Sequence, residues 1–334
     1  MTENRVIRLK ARPVELPGPE HFEITAEPRP KPGPGEALIQ IEAAALSPWQ
    51  GQRLKDFRNY TKPFEIGEVI DGDTLGRVMQ SNAPELPVGT MVAGRLGWRE
   101  WAVTTPGTVE IVQEGQSAET TLVTLSSPGL TAYAGLNAAK KRGMPGETLV
   151  VTSAAGGVGS HVVQLGLMAG MRVVGLAGGE AKRRIVEEKL GAHVAIDYRA
   201  ADLEQQLAKA FPNGFDLFYD TVGGALADQI FEHTAKFATI VLVGRTAANN
   251  SSNPGADMAN VRVPWGQNAN IIGFNRYDRP LEWAEARTRM ERLAADGKIN
   301  SLVSWAEGFE AAPQALQDML AGRNVGKTLV RFHS

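Results

Sequence analysis

The sequence predicts an α/β protein in which a β-rich first stretch is followed by a doubly wound parallel sheet with helices on its faces. Three observations carry this. Short apolar runs punctuated by Pro and Gly fill the chain to about Ser126. From about Pro128 to Lys298 the rhythm changes to alternating helical and strand patterns. Between the first strand and the next helix of that second stretch lies a glycine-rich turn.

In the first stretch, Ala37-Leu38-Ile39-Gln40-Ile41 and Thr90-Met91-Val92-Ala93 have the length and apolar content of strands. The segment 28–35, PRPKPGPG, is excluded from helix, because each proline lacks an N–H donor and restricts the residue before it. Strands at this spacing, with turn signals between them, suggest a small barrel or sandwich. The second stretch gives helix 131–141, strand 148–151 and helix 158–169, the last with Val158, Val162, Leu165 and Ala169 on one stripe. Strand 172–176, a charged helix 182–190, strand 193–196, helix 203–211 and strands 216–219 and 239–243 follow. This alternation implies a parallel sheet, because parallel neighbours need a crossover connection and a helix supplies one. The third stretch, 300–334, holds a helix at 312–320 and ends in the strand pattern Gly326-Lys327-Thr328-Leu329-Val330-Arg331-Phe332. A lone strand must pair somewhere, and the first stretch is its natural host.

Length and composition exclude several classes. A chain of 334 residues exceeds the usual single-core domain, so two domains are expected, and 43% hydrophobic residues supply ample core material. No apolar run is long enough to span a bilayer, and the opening residues carry charges where a signal peptide needs an apolar stretch. A soluble, cytoplasmic protein with no membrane partner is expected. Net charge is −2 with both signs scattered, so no basic block is present to follow a nucleic-acid backbone. Absence of cysteine excludes disulfides, thiol nucleophiles and every cysteine-containing zinc site. The five histidines are far apart in sequence, and no metal site is expected.

The strand at 148–151 leads into Ser153-Ala154-Ala155-Gly156-Gly157-Val158-Gly159, where a helix begins. This is the dinucleotide fingerprint with alanine at its first glycine position. Gly156 lets the backbone approach a pyrophosphate, and Gly159 lets the helix pack closely on the strand. The helix N-terminus supplies amide donors and positive potential. Which dinucleotide is bound depends on the end of the second strand, where an NAD site places Asp or Glu for the ribose 2′-hydroxyl. Here that position falls in Ala177-Gly178-Gly179, and Lys182, Arg183 and Arg184 follow. Removing the acid and adding cations suits the 2′-phosphate of NADPH.

With Pro32-Gly33-Pro34-Gly35-Glu36-Ala37-Leu38-Ile39, Gly97-Trp98-Arg99-Glu100-Trp101, Gly129-Leu130-Thr131-Ala132-Tyr133 and Gly326-Lys327-Thr328, the sequence resembles the medium-chain dehydrogenase/reductase superfamily over nearly its whole length. Asn59-Tyr60-Thr61-Lys62-Pro63-Phe64-Glu65-Ile66-Gly67-Glu68-Val69 and Asp220-Thr221-Val222-Gly223-Gly224 narrow the resemblance. They point to the zinc-independent branch of prostaglandin reductases, plant alkenal double-bond reductases and bacterial curcumin reductases. The resemblance implies a GroES-like catalytic domain, from residues 1–126 and 300–334, around an inserted Rossmann NADP-binding domain at 127–299. It also implies NADPH-dependent reduction of the carbon–carbon double bond of α,β-unsaturated ketones and aldehydes, by a homodimer. Carried over by motif, Gly156, Gly157, Val158 and Gly159 cradle the pyrophosphate, Lys182 meets the 2′-phosphate, and Tyr198 packs at the adenosine end. Thr221 stands where the branch often has Asn. Val243, Gly244 and Arg245, with Phe274, Asn275 and Arg276, line the nicotinamide side, and Asn324 caps the cofactor from the C-terminal strand. Two departures stand out. Ser47-Pro48-Trp49 replaces the Asp-Pro-Tyr frequent in the branch, and a tyrosine sometimes credited with proton handling maps near Trp265-Gly266, which offers no hydroxyl.

Conjugate reduction asks less of the protein than alcohol oxidation, for which alcohol dehydrogenases use zinc. Hydride enters at the β-carbon and the charge spreads into an enolate, so a hydrogen bond to the carbonyl oxygen and accurate positioning can suffice. Candidates for the substrate pocket are Ser47, Trp49, Tyr60 and Tyr277. Tyr60 and Tyr277 are also candidate donors to the enolate, beside the cofactor's own ribose hydroxyl. His161 is expected to be a partly exposed helix residue. Two other readings stay open at this point: an NADPH quinone oxidoreductase, and a non-catalytic protein that only binds NADPH.

Overall fold

A computed structural model describes residues 3–56, 61–139, 144–246, 260–275 and 280–333. The chain divides into two compact units, Met1–Val123 with Val303–Ser334, and Thr124–Leu302.

In the first unit β1 (Glu3–Leu9) pairs antiparallel with β2 (Phe22–Pro28), and the proline-rich run after Pro28 forms no helix. The remaining strands of its leading segment are β3 (Ala37–Ala45), β4 (Asp73–Ser81), β5 (Met91–Gly94), β6 (Trp101–Thr104) and β7 (Val109–Ile111). Strand β3 is the spine. It is buried over most of its length, pairs with β4 on one side, and shares its other side between β6 and a strand from the far end of the chain. Helix Pro48–Leu54 follows it directly, started by Ser47 and a proline in its first turn. Trp98, Phe64 and Phe309 are fully buried beneath, and Phe309 meets Phe332 edge-on at 4.9 Å.

The second unit holds β8 (Thr148–Val151), β9 (Arg172–Ala177), β10 (Val194–Asp197), β11 (Phe215–Asp220), β12 (Thr234–Leu242) and β13 (Asn270–Gly273). They form one sheet in the order β10-β9-β8-β11-β12-β13, every pair parallel. Chain progress reverses between β8 and β11, and in such sheets ligands bind outside the carboxyl ends of the strands at that reversal. Helices Gly157–Met168, Glu180–Arg184, Leu203–Ala210 and Gly224–Phe231 make the crossovers, with Ser127–Ala138 and Pro280–Ala295 packed against each other alongside. Back in the first unit, β14 (Val303–Glu307) and β15 (Lys327–Arg331) lie parallel, and β15 pairs antiparallel with β3, Leu329 opposite Ala45. The terminal strand therefore finds the host expected for it.

Several details differ from the sequence reading. The glycine-loop helix buries Gly159, Val162, Val163 and Gly166, whereas Val158 and Leu165 are half-buried and Ala169 is exposed. Glycine decides this rotation: a Cβ on Gly166 would stand 2.5 Å from Leu149 Cδ2, so the helix sits on the sheet along its glycine edge. Strand β12 begins at Thr234, interrupted where Phe237 adopts φ 62° and turns its ring to solvent. The charged helix is α-helical only over Glu180–Arg184 and widens to a π-turn over Ile185–Lys189. Helices Gly224–Phe231, Arg262–Gly266 and Pro280–Ala295 and strands β13 and β14 carry signals too short or too charged to stand out in sequence.

Candidate active site

The glycine loop is a close-fitted piece of main chain. Ser153 leaves β8 with φ 51°, a left-handed conformation unusual for a residue with a side chain. The turn closes with Gly156 N–H donating to Ser153 O at 2.8 Å. A Cβ at Gly156 would meet Ser153 Oγ at 2.6 Å, and one at Gly159 would meet Ser153 O at 2.2 Å. Gly159 is therefore fixed by backbone approach, whereas the closest neighbour of Gly156 is a side-chain hydroxyl, with the Ser153 carbonyl next at 3.0 Å. Helix Gly157–Met168 opens there, presenting first-turn amides that have no intrahelical acceptor.

At the end of β9, Gly178 and Gly179 do more than omit a carboxylate. A Cβ on Gly178 would stand 2.6 Å from the Tyr198 hydroxyl, so any acidic side chain there collides with that phenol. Gly179 takes φ 89° and donates its N–H to Asp197 Oδ1 at 2.8 Å. Of the cations that follow, Arg183 and Arg184 are held by Glu180 at 2.7 and 2.8 Å, and Arg183 also reaches Glu187. Those two guanidiniums hold the Glu180 carboxyl well below the usual range. Lys182 is half-buried, and its ammonium is pushed down first by burial and then by the neighbouring Arg199. Arg199 also lies over the Tyr198 ring at 5.5 Å. Lys182, Tyr198 and Arg199 thus come together beside the two glycines.

The carboxyl ends of β8, β11 and β12 meet in a hydrogen-bonded knot. Asp220 is fully buried and accepts from Thr152 Oγ1 at 2.7 Å and from the amides of Val222 and Gly223 at 2.9 and 3.0 Å. Burial raises its carboxyl, opposed by those three donors. Thr221 N–H donates to Thr152 Oγ1 at 3.0 Å, and a Cβ on Gly244 would meet Thr221 O at 2.7 Å. Val243 and Phe274 extend the knot, their N–H groups donating hydrogen bonds to Asp220 O and Leu242 O at 2.8 and 2.9 Å. Arg245 and Asn275 follow directly in sequence, the first exposed and the second half-buried. Tyr219, beneath, is a buried phenol that donates to Thr131 O at 2.8 Å and belongs to the core.

In the first unit Ser47 is buried, its N–H on Gln50 Oε1 at 2.7 Å and its Oγ accepting from Lys327 Nζ at 2.5 Å. Trp49, on the helix that Ser47 caps, is half-buried with Arg95 over its ring at 4.7 Å, and its indole Nε1 is buried with no hydrogen-bond partner among the described residues. Asn324 turns back to donate to Gly326 O at 2.7 Å, at the start of β15. Tyr60, Arg276 and Tyr277 lie outside the described residues.

His161 departs from its expected place: it is fully buried, because the rotated helix faces it inward, and burial lowers its imidazole to about 4. Trp265 is 81% exposed.

Comparison with known proteins identifies the family. Residues 5–112 match the family described as N-terminal domain of oxidoreductase, and residues 157–292 match zinc-binding dehydrogenase. The chain is 35% identical to NADPH-dependent curcumin reductase of Escherichia coli (strain K12), covering 98% of this chain and 96% of that protein. The chain belongs to the medium-chain dehydrogenase/reductase superfamily, in its zinc-independent reductase branch. It is 31% identical to prostaglandin reductase 1 of Sus scrofa, over 97% of both chains. The crystal structure of CurA in complex with NADPH from Vibrio vulnificus superposes with a TM-score of 0.92, at 33% identity over 99% of each chain.

Although the second family's description mentions zinc, this reductase has no cysteine in its sequence. Among its described residues no three His, Asp or Glu side chains converge on one point. Two neighbours of the candidate residues were not legible as such. Arg199 follows the tyrosine at the end of the third strand, and that adjacency was its signal. Lys327 sits in the Gly-Lys-Thr motif, but its hydrogen bond to Ser47 joins residues at opposite ends of the chain and has no local signal.

Proposed function

We propose that this protein reduces the carbon–carbon double bond of α,β-unsaturated ketones and aldehydes with NADPH. The observation that carries the reading is the end of β9, where two glycines stand in place of a ribose-binding acid and Lys182 and Arg199 gather, beside a main-chain cradle at the sheet's reversal. The relationship to NADPH-dependent curcumin reductase along the whole chain supports it. The residues fit the cofactor. Gly156 and Gly159 let the loop close tightly on Ser153, and the first-turn amides of Gly157 and Val158 suit a pyrophosphate as helix N-termini do. Lys182 and Arg199 hold the 2′-phosphate, with Tyr198 packed at the adenosine end. Thr221, Val243, Gly244, Arg245, Phe274, Asn275 and Arg276 border the nicotinamide, and Asn324 caps it.

When bound, NADPH supplies the hydride. The protein's own task is to orient the enone, keep water out, and stabilise charge at the carbonyl oxygen as the enolate forms. Ser47 and Trp49 line the pocket, the indole Nε1 of Trp49 offering a buried donor. Tyr60 and Tyr277 deliver or relay the proton. The donor set does not suit zinc, and the chemistry does not require it.

The proposal includes a homodimer. Among the described residues strand β13 is a sheet edge, and Ile271 on it, Trp265 on the short helix before it and Phe237 on neighbouring β12 are exposed, the kind of apolar edge that a second copy covers. A cytoplasmic location is part of the same proposal. Among the described residues no helix is long and apolar enough to cross a membrane.

The test uses NADPH deuterated at the transferred position with a simple enone. The saturated carbonyl compound should form with label on its β-carbon. Label on the carbonyl carbon of an allylic alcohol would overturn the reading, and turnover of quinones alone would assign a quinone oxidoreductase.

A further inference from the structure

A polar chain, buried where His161 meets Thr124, runs through the second unit from the glycine loop to both ends of the unit. His161 Nδ1 lies 2.8 Å from Gly157 O, and its Nε2 lies 3.2 Å from Thr124 Oγ1. Thr124 Oγ1 is in turn 2.7 Å from Ser301 Oγ. A carbonyl only accepts, so Nδ1 carries the proton; in the neutral ring Nε2 then accepts from the Thr124 hydroxyl, whose oxygen accepts from Ser301. Three residues along the same helix, Gln164 Nε2 donates to Asn300 O at 2.9 Å and its Oε1 accepts from Asn300 N–H at 2.8 Å. Thr124 is the first residue of the unit, and residues 300–301 precede its last, Leu302. One helix face therefore grips the segments where the chain enters and leaves.

The link to the glycine loop is a matter of peptide geometry. Gly157 C=O and Val158 N–H belong to one planar peptide, so a group that holds the carbonyl also aims the amide at its other edge. An apolar side chain would fill the space of His161 but would set no such direction.

We propose that His161 is a positioning residue for dinucleotide binding, tying the first turn of the glycine-loop helix to the entry and exit segments so that NADPH binding and the ordering of those segments are coupled. The inference rests on the NADPH reading and adds to it a role for a side chain that touches no cofactor atom. Coupling of this kind is reciprocal: whatever loosens Thr124 or Ser301 weakens NADPH.

Fluorescence titration of His161→Leu should show NADPH affinity reduced about tenfold, the equivalent of a net hydrogen bond or slightly more, with His161→Gln recovering part of it. KM for NADPH should rise likewise, while kcat at saturating NADPH moves less. Hydrogen exchange supplies a readout that loss of packing alone would not move. In the wild type NADPH should slow exchange in peptides containing Thr124 and Ser301 as well as in the glycine loop. In His161→Leu the loop should still be protected and the two segments should not. Thr124→Val, which leaves the imidazole and the loop in place, should also abolish protection at Ser301, and it decides the matter if His161→Leu does not fold. Affinity within twofold of wild type in His161→Leu, or NADPH protection of both segments retained in either variant, would overturn the proposal. Wild-type protein that binds no NADPH would instead overturn the functional reading.

Discussion

In the unit Thr124–Leu302 the candidate residues are mostly glycines and strand-end amides, fitted to about an atom's width by neighbouring backbone. In the unit Met1–Val123 with Val303–Ser334 they are side chains, Ser47 and Trp49, on or before one short helix, with Lys327 arriving from a strand near the other end of the chain. A site made of main chain restricts which residues can occupy it and so writes itself into the sequence. A pocket lined by side chains tolerates many solutions, and its substrate is correspondingly harder to read.

The sharpest way to break this contrast is Gly159→Ala. The new Cβ would stand 2.2 Å from Ser153 O, a backbone atom that cannot swing aside. We expect NADPH affinity to fall by roughly a hundredfold or more, equivalent to about 3 kcal/mol, with a large loss of stability in chemical denaturation. Gly266→Ala, where a Cβ would meet nothing within 4 Å, is the control and should change neither. An unaffected Gly159→Ala would mean that the loop yields, and that its glycines are not the constraint claimed for them.

The substrate half is sharpened by Tyr60→Phe and Tyr277→Phe. A true acid should cost about a hundredfold in kcat, with KM for NADPH little changed. If both variants keep full rate, neither phenol delivers the proton, and the ribose hydroxyl or solvent does.

Buried His161 gives the nucleotide half a pH signature. Its folded-state value is lowered from 6.5 to about 4, so below pH 6.5 the unfolded chain takes up a proton that the folded protein refuses. The contribution is fully present above pH 6.5 and is lost as pH falls towards 4. Between pH 6.5 and 5 wild type should lose on the order of 2 kcal/mol of unfolding free energy more than His161→Gln. Parallel stability curves for the two proteins over that interval would show that His161 titrates normally.

The smallest expected effect concerns cofactor choice. Lys182→Ala should raise KM for NADPH about tenfold, the loss of one charge-assisted hydrogen bond, and leave KM for NADH nearly unchanged. Equal use of both cofactors by wild type would defeat the 2′-phosphate assignment.

What was legible follows the same division. Strand 148–151 was readable to the residue and the helix at about 312–320 closely, because turn signals bound them. The parallel sheet was readable because crossover helices leave a period-3.6 pattern between apolar runs. Helix Pro280–Ala295 was not, since its buried positions Ala286, Met290 and Leu293 form a thin stripe in a charged segment. Nor was the burial of His161, which depends on a rotation set by Gly159 and Gly166 that apolar periodicity does not report. In the first unit Ser47 and Trp49 were found by resemblance alone, and the bond from Lys327 to Ser47 spans too much sequence for any local pattern.

The pairing of β15 with β3 sets an order of events during synthesis. Every strand of the second unit is made before residues 327–331 leave the ribosome, so that unit can finish folding on the growing chain. Ala43–Ala45, meanwhile, wait with one ladder edge unsatisfied until β15 is made, flanked by apolar residues that invite wrong partners. The same arrangement makes β15 a requirement for completing the first unit: a chain cut short of it keeps every strand of the nucleotide-binding unit but leaves β3 without one of its ladder partners.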